Sequence, residues 1–356
     1  MRLSLMFFAG ALESNAADQY RTVLDLAAFA DRSGFAGVWL PERHFSSFGA
    51  PFPNPVPLLA AVAARTERLT LRTGSLVVAL HDPLRVAEDL SILDNLSGGR
   101  LEAGFASGWS PADFAFHPDR YERRHAVLFE LIDQVRALWR GGLHEARSGS
   151  GEDIRVRPLP RPVQPDLTVW IAASQSTDTF RGAGRRGEGV LTHVLDGNLD
   201  KLAENISAYR QEFAAAGHDP ADGRVALMLH THLGTDRDEV VGLVRDPYRD
   251  YLKSITPLAR GLAKARGRGV DLDRFTARHV DQFAQAHFQR AIDGRSLIGT
   301  VDDAHRTLKT VRDLGVDEVA CLVDFGLRGA QVRAQLPLLA ELNESLAHVP
   351  TSRSPR

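Results

Sequence analysis

LTLRTGSLVVALHDPLRVAEDLSILDNLSGGRLEAGFA, residues 69–106, holds the pattern that decides the fold. It opens with Leu, Val and Thr, residues that suit a pleated, buried surface, and predicts a strand over 69–78. Apolar residues at helical spacing follow and predict a helix over 84–96. The stretch from Asp94 to Arg100 then supplies Gly98 and Gly99, which end a helix because glycine adopts the left-handed turn at little cost. A second apolar run predicts a strand over 100–106.

The same strand-then-helix rhythm runs through the chain. Further strands are expected at 3–8, 37–40, 168–173, 189–195, 224–233 and 317–324, which makes eight. Helices are expected at 17–33, 56–66, 121–140, 176–186, 198–216, 302–314 and 329–347. Eight repeats predict an α/β fold of the TIM type, a (β/α)8 barrel, with an open doubly wound sheet as the alternative. One domain over 1–348 is expected. Two stretches exceed a minimal barrel: an excursion before strand 5, over 141–166, and a mostly helical, basic insertion after strand 7, over 235–298. The tail 349–356 reads as disordered.

Composition narrows the class of function. The chain has 356 residues, 44% of them apolar and 25% charged, enough for a large core. A formal net charge of −2 offers no general attraction to nucleic acid or anionic lipid. No apolar stretch approaches the ~20 residues that span a bilayer, and the N-terminal apolar run reads as a first strand rather than a signal peptide. The single cysteine, Cys321, sits in an apolar run and reads as a packing thiol, so a cytoplasmic protein is expected.

In a parallel barrel, reacting groups project from the C-terminal strand ends. That rule selects Glu42-Arg43-His44 after strand 2, Gly74-Ser75 within strand 3, and Ser107-Gly108 with Asp113 after strand 4. It also selects Ser174, Gln175, Ser176, Thr177 and Thr179 after strand 5. His193, His230, His232 and Asp324 belong to strands 6, 7 and 8. Hydroxyls and free backbone N–H groups at the start of a helix suit a phosphate, although a plain Ser/Thr helix cap uses the same residues. His230 and His232 alternate onto one face, so His193, His230, His232 and Asp324 form the one candidate metal set, unsupported by any paired-cysteine or HExxH motif. A G-x-S-x-G nucleophile elbow is absent.

Several segments together resemble the bacterial luciferase-like monooxygenases, nearest to the natural-product, mupirocin-pathway branch. They are Trp39-Leu-Pro-Glu-Arg-His-Phe45, Leu80-His-Asp-Pro-Leu-Arg-Val-Ala-Glu88, Leu93-Asp-Asn-Leu-Ser-Gly-Gly-Arg100 and Phe105-Ala-Ser-Gly-Trp-Ser-Pro-Ala-Asp-Phe114. Val190-Leu-Thr-His193, Met228-Leu-His-Thr231 and the run from Glu318 to Gly326 extend the likeness over about 3–348.

The resemblance implies a two-component flavin-dependent monooxygenase. Reduced FMN comes from a separate flavin reductase, reacts with O2, and the flavin C4a-peroxide hydroxylates a small-molecule or carrier-protein-tethered intermediate. A deazaflavin (F420)-dependent dehydrogenase of the same superfamily is the alternative, and a metal-dependent hydrolase a more distant one. By the resemblance, Ser174, Gln175, Ser176 and Thr179 hold the FMN phosphate with help from Ser107 and Gly108, and Gly74-Ser75 lies against the flavin ring, where relatives often have a cis peptide. Luciferase has an arginine in place of Ser107, so Arg181 or Arg185 is expected to supply the missing charge. Relatives commonly read Glu-His-His-Phe where this chain reads Glu42-Arg43-His44-Phe45. His44, with His193, is expected to handle protons. Arg43 stays charged and cannot serve as a base, but can hold an anionic flavin or carboxylate. Relatives are commonly homodimers.

Overall fold

The computed structural model describes residues 1–8, 15–194, 198–265 and 276–347, with the side chains of 255–265 excluded. The elements in chain order begin β1 (Arg2–Met6), α1 (Ala16–Arg32), β2 (Gly37–Leu40), α2 (Pro55–Ala63), β3 (Thr70–Thr73) and β4 (Leu76–Val77). Next come α3 (Pro83–Ser97), β5 (Leu101–Ala106), α4 (Arg124–Trp139), β6 (His144–Arg147), β7 (Asp153–Val156) and β8 (Val169–Ala172). Then follow α5 (Thr177–Arg185), β9 (Gly189–His193), α6 (Leu199–Ala215), β10 (Val225–Leu233), α7 (Arg237–Ala265) and α8 (Ala277–Ile292). The chain continues with β11 (Leu297–Gly299), α9 (Val301–Asp313), β12 (Glu318–Leu322), α10 (Gly329–Ala334) and α11 (Leu336–Ala347).

The strands close a parallel barrel of eight positions. β1 pairs with β2, β2 with β3, β3 and β4 with β5, β5 with β8, β8 with β9, β9 with β10, β10 with β12, and β12 with β1. Every one of these pairings is parallel, so all strand ends of one polarity meet at one rim. The expected strand over 69–78 is split at Gly74 and Ser75, whose peptide bond is cis. The other seven expected strands are present with slightly different ends.

Two features were not expected. The excursion carries a charged antiparallel hairpin, β6–β7. Asp94 tethers the rest of it by accepting the Val163 and Gln164 N–H groups at 2.7 and 2.9 Å. β11 lies where the insertion was expected to be helical; it pairs with the outer end of β10, beyond the part that β9 and β12 cover. The tail 349–356 lies outside the described residues. Among the described residues no helix is long and apolar enough to cross a membrane.

The lower half of the barrel is filled by an ion-pair plug rather than aliphatic layers alone. Arg72, 1% exposed, donates through Nε to Glu102 at 2.6 Å and through Nη1 to Glu318 at 2.8 Å. Its guanidinium lies 4.8 Å from the Trp39 ring and 5.4 Å from that of Trp170. Trp170 Nε1 and Arg224 also donate to Glu102, at 2.7 and 3.1 Å. Burial alone would raise the Glu102 carboxyl, but Arg72 and Arg224 hold it down at about 2. Gly104 leaves room for this packing, since a Cβ there would stand 2.2 Å from the Thr73 carbonyl oxygen.

Candidate active site

Four neighbouring strand ends form one arc of the rim. Leu76 and Val77 stand opposite Phe105 and Ala106, Phe105 opposite Ile171, and Ala172 opposite Leu191. Ser107, Ser174 and His193 follow these paired residues by one or two positions, and Ser75 immediately precedes Leu76, so the four border one arc of the barrel. Gly108 has φ +79°, and a Cβ on it would meet Val77 at 2.7 Å and Phe114 at 2.9 Å. The backbone here packs too tightly for any side chain.

Ser174, Gln175 and Ser176 are exposed, and Thr177 and Thr179 half-buried. Ser176 caps α5, its Oγ accepting the Thr179 N–H at 3.3 Å, while the Thr177 hydroxyl donates to Asn205 at 2.7 Å. The capping role weighed against the phosphate role is thus filled in this state, at Ser176 and Thr179. Ser174 and Gln175 remain at the surface of a pocket shared with His193, Asn198, Lys201 and Asn205. Lys201 is in the first turn of α6, whose cap Asn198 accepts the Lys201 N–H at 2.9 Å. Two helix N-termini therefore border the pocket, an arrangement that favours an anion, and the Lys201 ammonium beside them pairs with Glu204 at 3.2 Å in this state.

The arginines expected to supply charge there are engaged elsewhere in this state. Arg181 and Arg185 extend from α5 to Glu212 of α6, at 4.0 and 3.3 Å. Their spacing turns them toward the neighbouring helix instead of the helix start. Lys201 was missed because it lies 27 residues beyond Ser174 in the chain, in a helix that read only as scaffold.

The β2 end builds a second cluster around a residue that the sequence placed at the rim without a role of its own. Glu42 is 2% exposed. Its Oε1 accepts His44 Nε2 at 2.8 Å and His81 Nε2 at 2.6 Å, while Oε2 accepts the Val77 N–H at 2.6 Å. Its own N–H donates to the Ser75 carbonyl at 3.1 Å. Burial pushes the Glu42 carboxyl up, yet the bonds from His44, His81 and Val77 outweigh it, and the group sits below its ordinary value. An ionised carboxylate only accepts, so both imidazoles donate to it from Nε2, which in the neutral ring leaves Nδ1 as the acceptor. His44 stacks edge-on to Phe116 at 4.9 Å.

Arg43 points away from this cluster. It is 5% exposed, with Nη1 3.5 Å from Asp113 and its guanidinium 4.6 Å from the Trp109 ring. Burial lowers its pKa, Asp113 opposing.

The opposite arc is roofed by α7. His230 lies 4.6 Å from the Tyr248 ring, 5.4 Å from Tyr251 and 5.2 Å from Phe325. Burial, with His193 and His287 nearby, pushes the His230 imidazole down to about 3, and burial pushes His232 down to about 4. Asp324 Oδ1 accepts the Phe8 N–H at 2.6 Å. Among the described residues no three His, Cys, Asp or Glu side chains stand together as a metal site, so the hydrolase reading has no donor set.

Comparison with known proteins agrees with this architecture. The family model described as luciferase-like monooxygenase matches residues 1–318. The chain is 30% identical over 308 residues to 4-hydroxyprotoasukamycin monooxygenase of Streptomyces nodosus subsp. asukaensis, covering 82% of this chain and 76% of that one. A crystal structure of a monooxygenase from Streptomyces bottropensis superposes with a TM-score of 0.80 and 26% identity, over 98% of this chain and all of the other. The oxygenating constituent of 3,6-diketocamphane monooxygenase from Pseudomonas putida, solved with FMN, superposes with a TM-score of 0.75 at 17% identity, covering 96% and 97% of the two chains.

Proposed function

Because the chain belongs to the luciferase-like monooxygenase family and is a flavin-dependent oxidoreductase, we propose that it is the oxygenase component of a two-component system. It takes reduced FMN from a separate flavin reductase and hydroxylates a small-molecule or carrier-tethered intermediate, as in the natural-product, mupirocin-pathway branch. Bound reduced FMN supplies the electrons that activate O2. The observation that carries this reading is the arc of adjacent strand ends. It brings the Gly74–Ser75 edge, the crowded backbone of Gly108 and the two helix N-termini by Ser174 to one rim.

The residues present fit such a group. Ser174 and Gln175 would hold the phosphate, with the Lys201 ammonium turning to it from Glu204, and Ser176 and Thr179 would contribute in place of their mutual bond. Ser107 would contribute beside the phosphate residues, and Gly74-Ser75 would face the flavin ring. The exposure of Ser174 and Gln175 leaves the cradle open for flavin to enter and leave, which suits a diffusible cofactor. His44 Nδ1, fixed as a lone pair by Glu42, accepts a proton at the rim, and His193 borders the phosphate end. Tyr248 and Tyr251 of α7 keep water from the opposite arc. A homodimer belongs to the same proposal, and exposed Ile92 and Leu96 on α3 with exposed Leu159 and Val163 of the tethered excursion are the apolar face proposed for it.

The test supplies the protein with a flavin reductase, FMN and labelled O2 over a panel of small organic acids and amines. Label in a hydroxylated product is the expected result. Hydride transfer to a deazaflavin without O2 uptake would overturn the proposal.

A further inference from the structure

Among the described residues, the Arg43 guanidinium is a strongly charged group at the rim whose bonding is incomplete on the edge that best recognises an oxygen pair. Its Nη1 faces Asp113 at 3.5 Å. Nε and Nη2 are both buried and have no hydrogen-bond partner among the described residues. Those two N–H groups share one edge of the planar guanidinium and point in parallel, the geometry that meets a carboxylate in two bonds. Leaving them buried and unbonded carries the full desolvation penalty of each group. The cost is sensible where a ligand repays it.

The surroundings say what kind of ligand. Trp109 covers one side of the guanidinium at 4.6 Å, with Phe48 at 5.4 Å and Phe8 at 5.9 Å. Tyr251 of α7 packs on Phe48 at 5.5 Å and closes the roof. These walls are flat and apolar, and suit a planar hydrocarbon body rather than a sugar or a polyphosphate. A ligand reaches the edge by displacing part of that roof.

We propose that Arg43 recognises the substrate through a carboxylate on an aromatic or similarly flat apolar body, bound by its Nε–H and Nη2–H. This rests on the oxygenase reading for its setting, and it assigns the substrate class that reading leaves open. Asp113 is held on the far edge, so it fixes the fork without blocking it.

Calorimetric titration of the whole protein with benzoate and with benzamide, its uncharged counterpart, tests the assignment. Wild type is expected to bind benzoate more tightly by roughly ten- to a hundredfold, the range of hydrogen bonds to a charged group. Arg43→Met should bring the two ligands to parity. Arg43→Lys keeps the charge but not the paired edge, and should lose most of the preference. FMN titration of the same samples reports folding independently. Equal binding of the two probes by wild type, binding of neither, or a preference surviving in Arg43→Met or Arg43→Lys would overturn it. So would a loss of FMN affinity in Arg43→Met with the probe ratio unchanged, since that would assign the fork to flavin. Failure of wild type to bind FMN contradicts the oxygenase reading alone, because the probe ratio needs no flavin.

Discussion

At Glu42 one carboxylate orders two imidazoles and the strand beside the Gly74–Ser75 edge. A glutamine there keeps one acceptor oxygen and turns two hydrogens toward His44, His81 or the Val77 N–H. Glu42→Gln should destabilise the fold by about 3 kcal/mol in denaturant unfolding, the scale of a charged acceptor removed from buried donors. It should also slow oxygenation by releasing the His44 tautomer, while Glu42→Asp is too short to reach all three donors. The segment was legible as an active-site lip because it follows a barrel strand. Its central residue was not, because the partners that make Glu42 a hub, Val77 and His81, lie 35 and 39 positions away. Arg43 was legible as a departure from its relatives, whereas its burial against Asp113 needed the folded chain.

The alternation of strands and helices was readable because each barrel strand is an apolar run and each helix has one buried face. β11 escaped because three residues, Leu297–Gly299, form no alternating pattern. The β6–β7 hairpin escaped because its mostly charged residues lie in solvent and bury no apolar face. Between these elements, packing is tight enough to make a strong prediction. Gly104→Ala in β5 sets a methyl group 2.2 Å from the Thr73 carbonyl oxygen, a backbone atom of the neighbouring strand that cannot swing aside, with the Trp39 ring 3.5 Å away. Overpacking of this kind should cost about 3 kcal/mol, measured by chemical unfolding.

For the whole molecule, buried titratable groups set the response to acid. His230 and His232 remain neutral when folded, at about 3 and 4, while their unfolded counterparts take up protons near 6.5. Between those values the unfolded chain binds more protons, so stability falls as pH falls. From pH 7.5 to 5.5 each imidazole should cost about 1.4 kcal/mol. His230→Phe, surrounded by Tyr248, Tyr251 and Phe325, should remove one such share. Glu102 adds a second loss below about 4.5, as its carboxylate protonates toward 2. At the same scale, Leu96→Glu on the exposed apolar face should shift sedimentation toward the monomer.

The central claim is that reduced FMN binds at the rim with its phosphate by Ser174, Gln175 and Lys201. Anaerobic titration of the purified chain with reduced FMN tests it most directly. Saturation at one flavin per chain is predicted, with affinity reduced roughly ten- to a hundredfold in Ser174→Ala/Gln175→Ala and in Lys201→Ala, and unchanged in Arg181→Ala. No binding, or equal affinity in all four proteins, would contradict it.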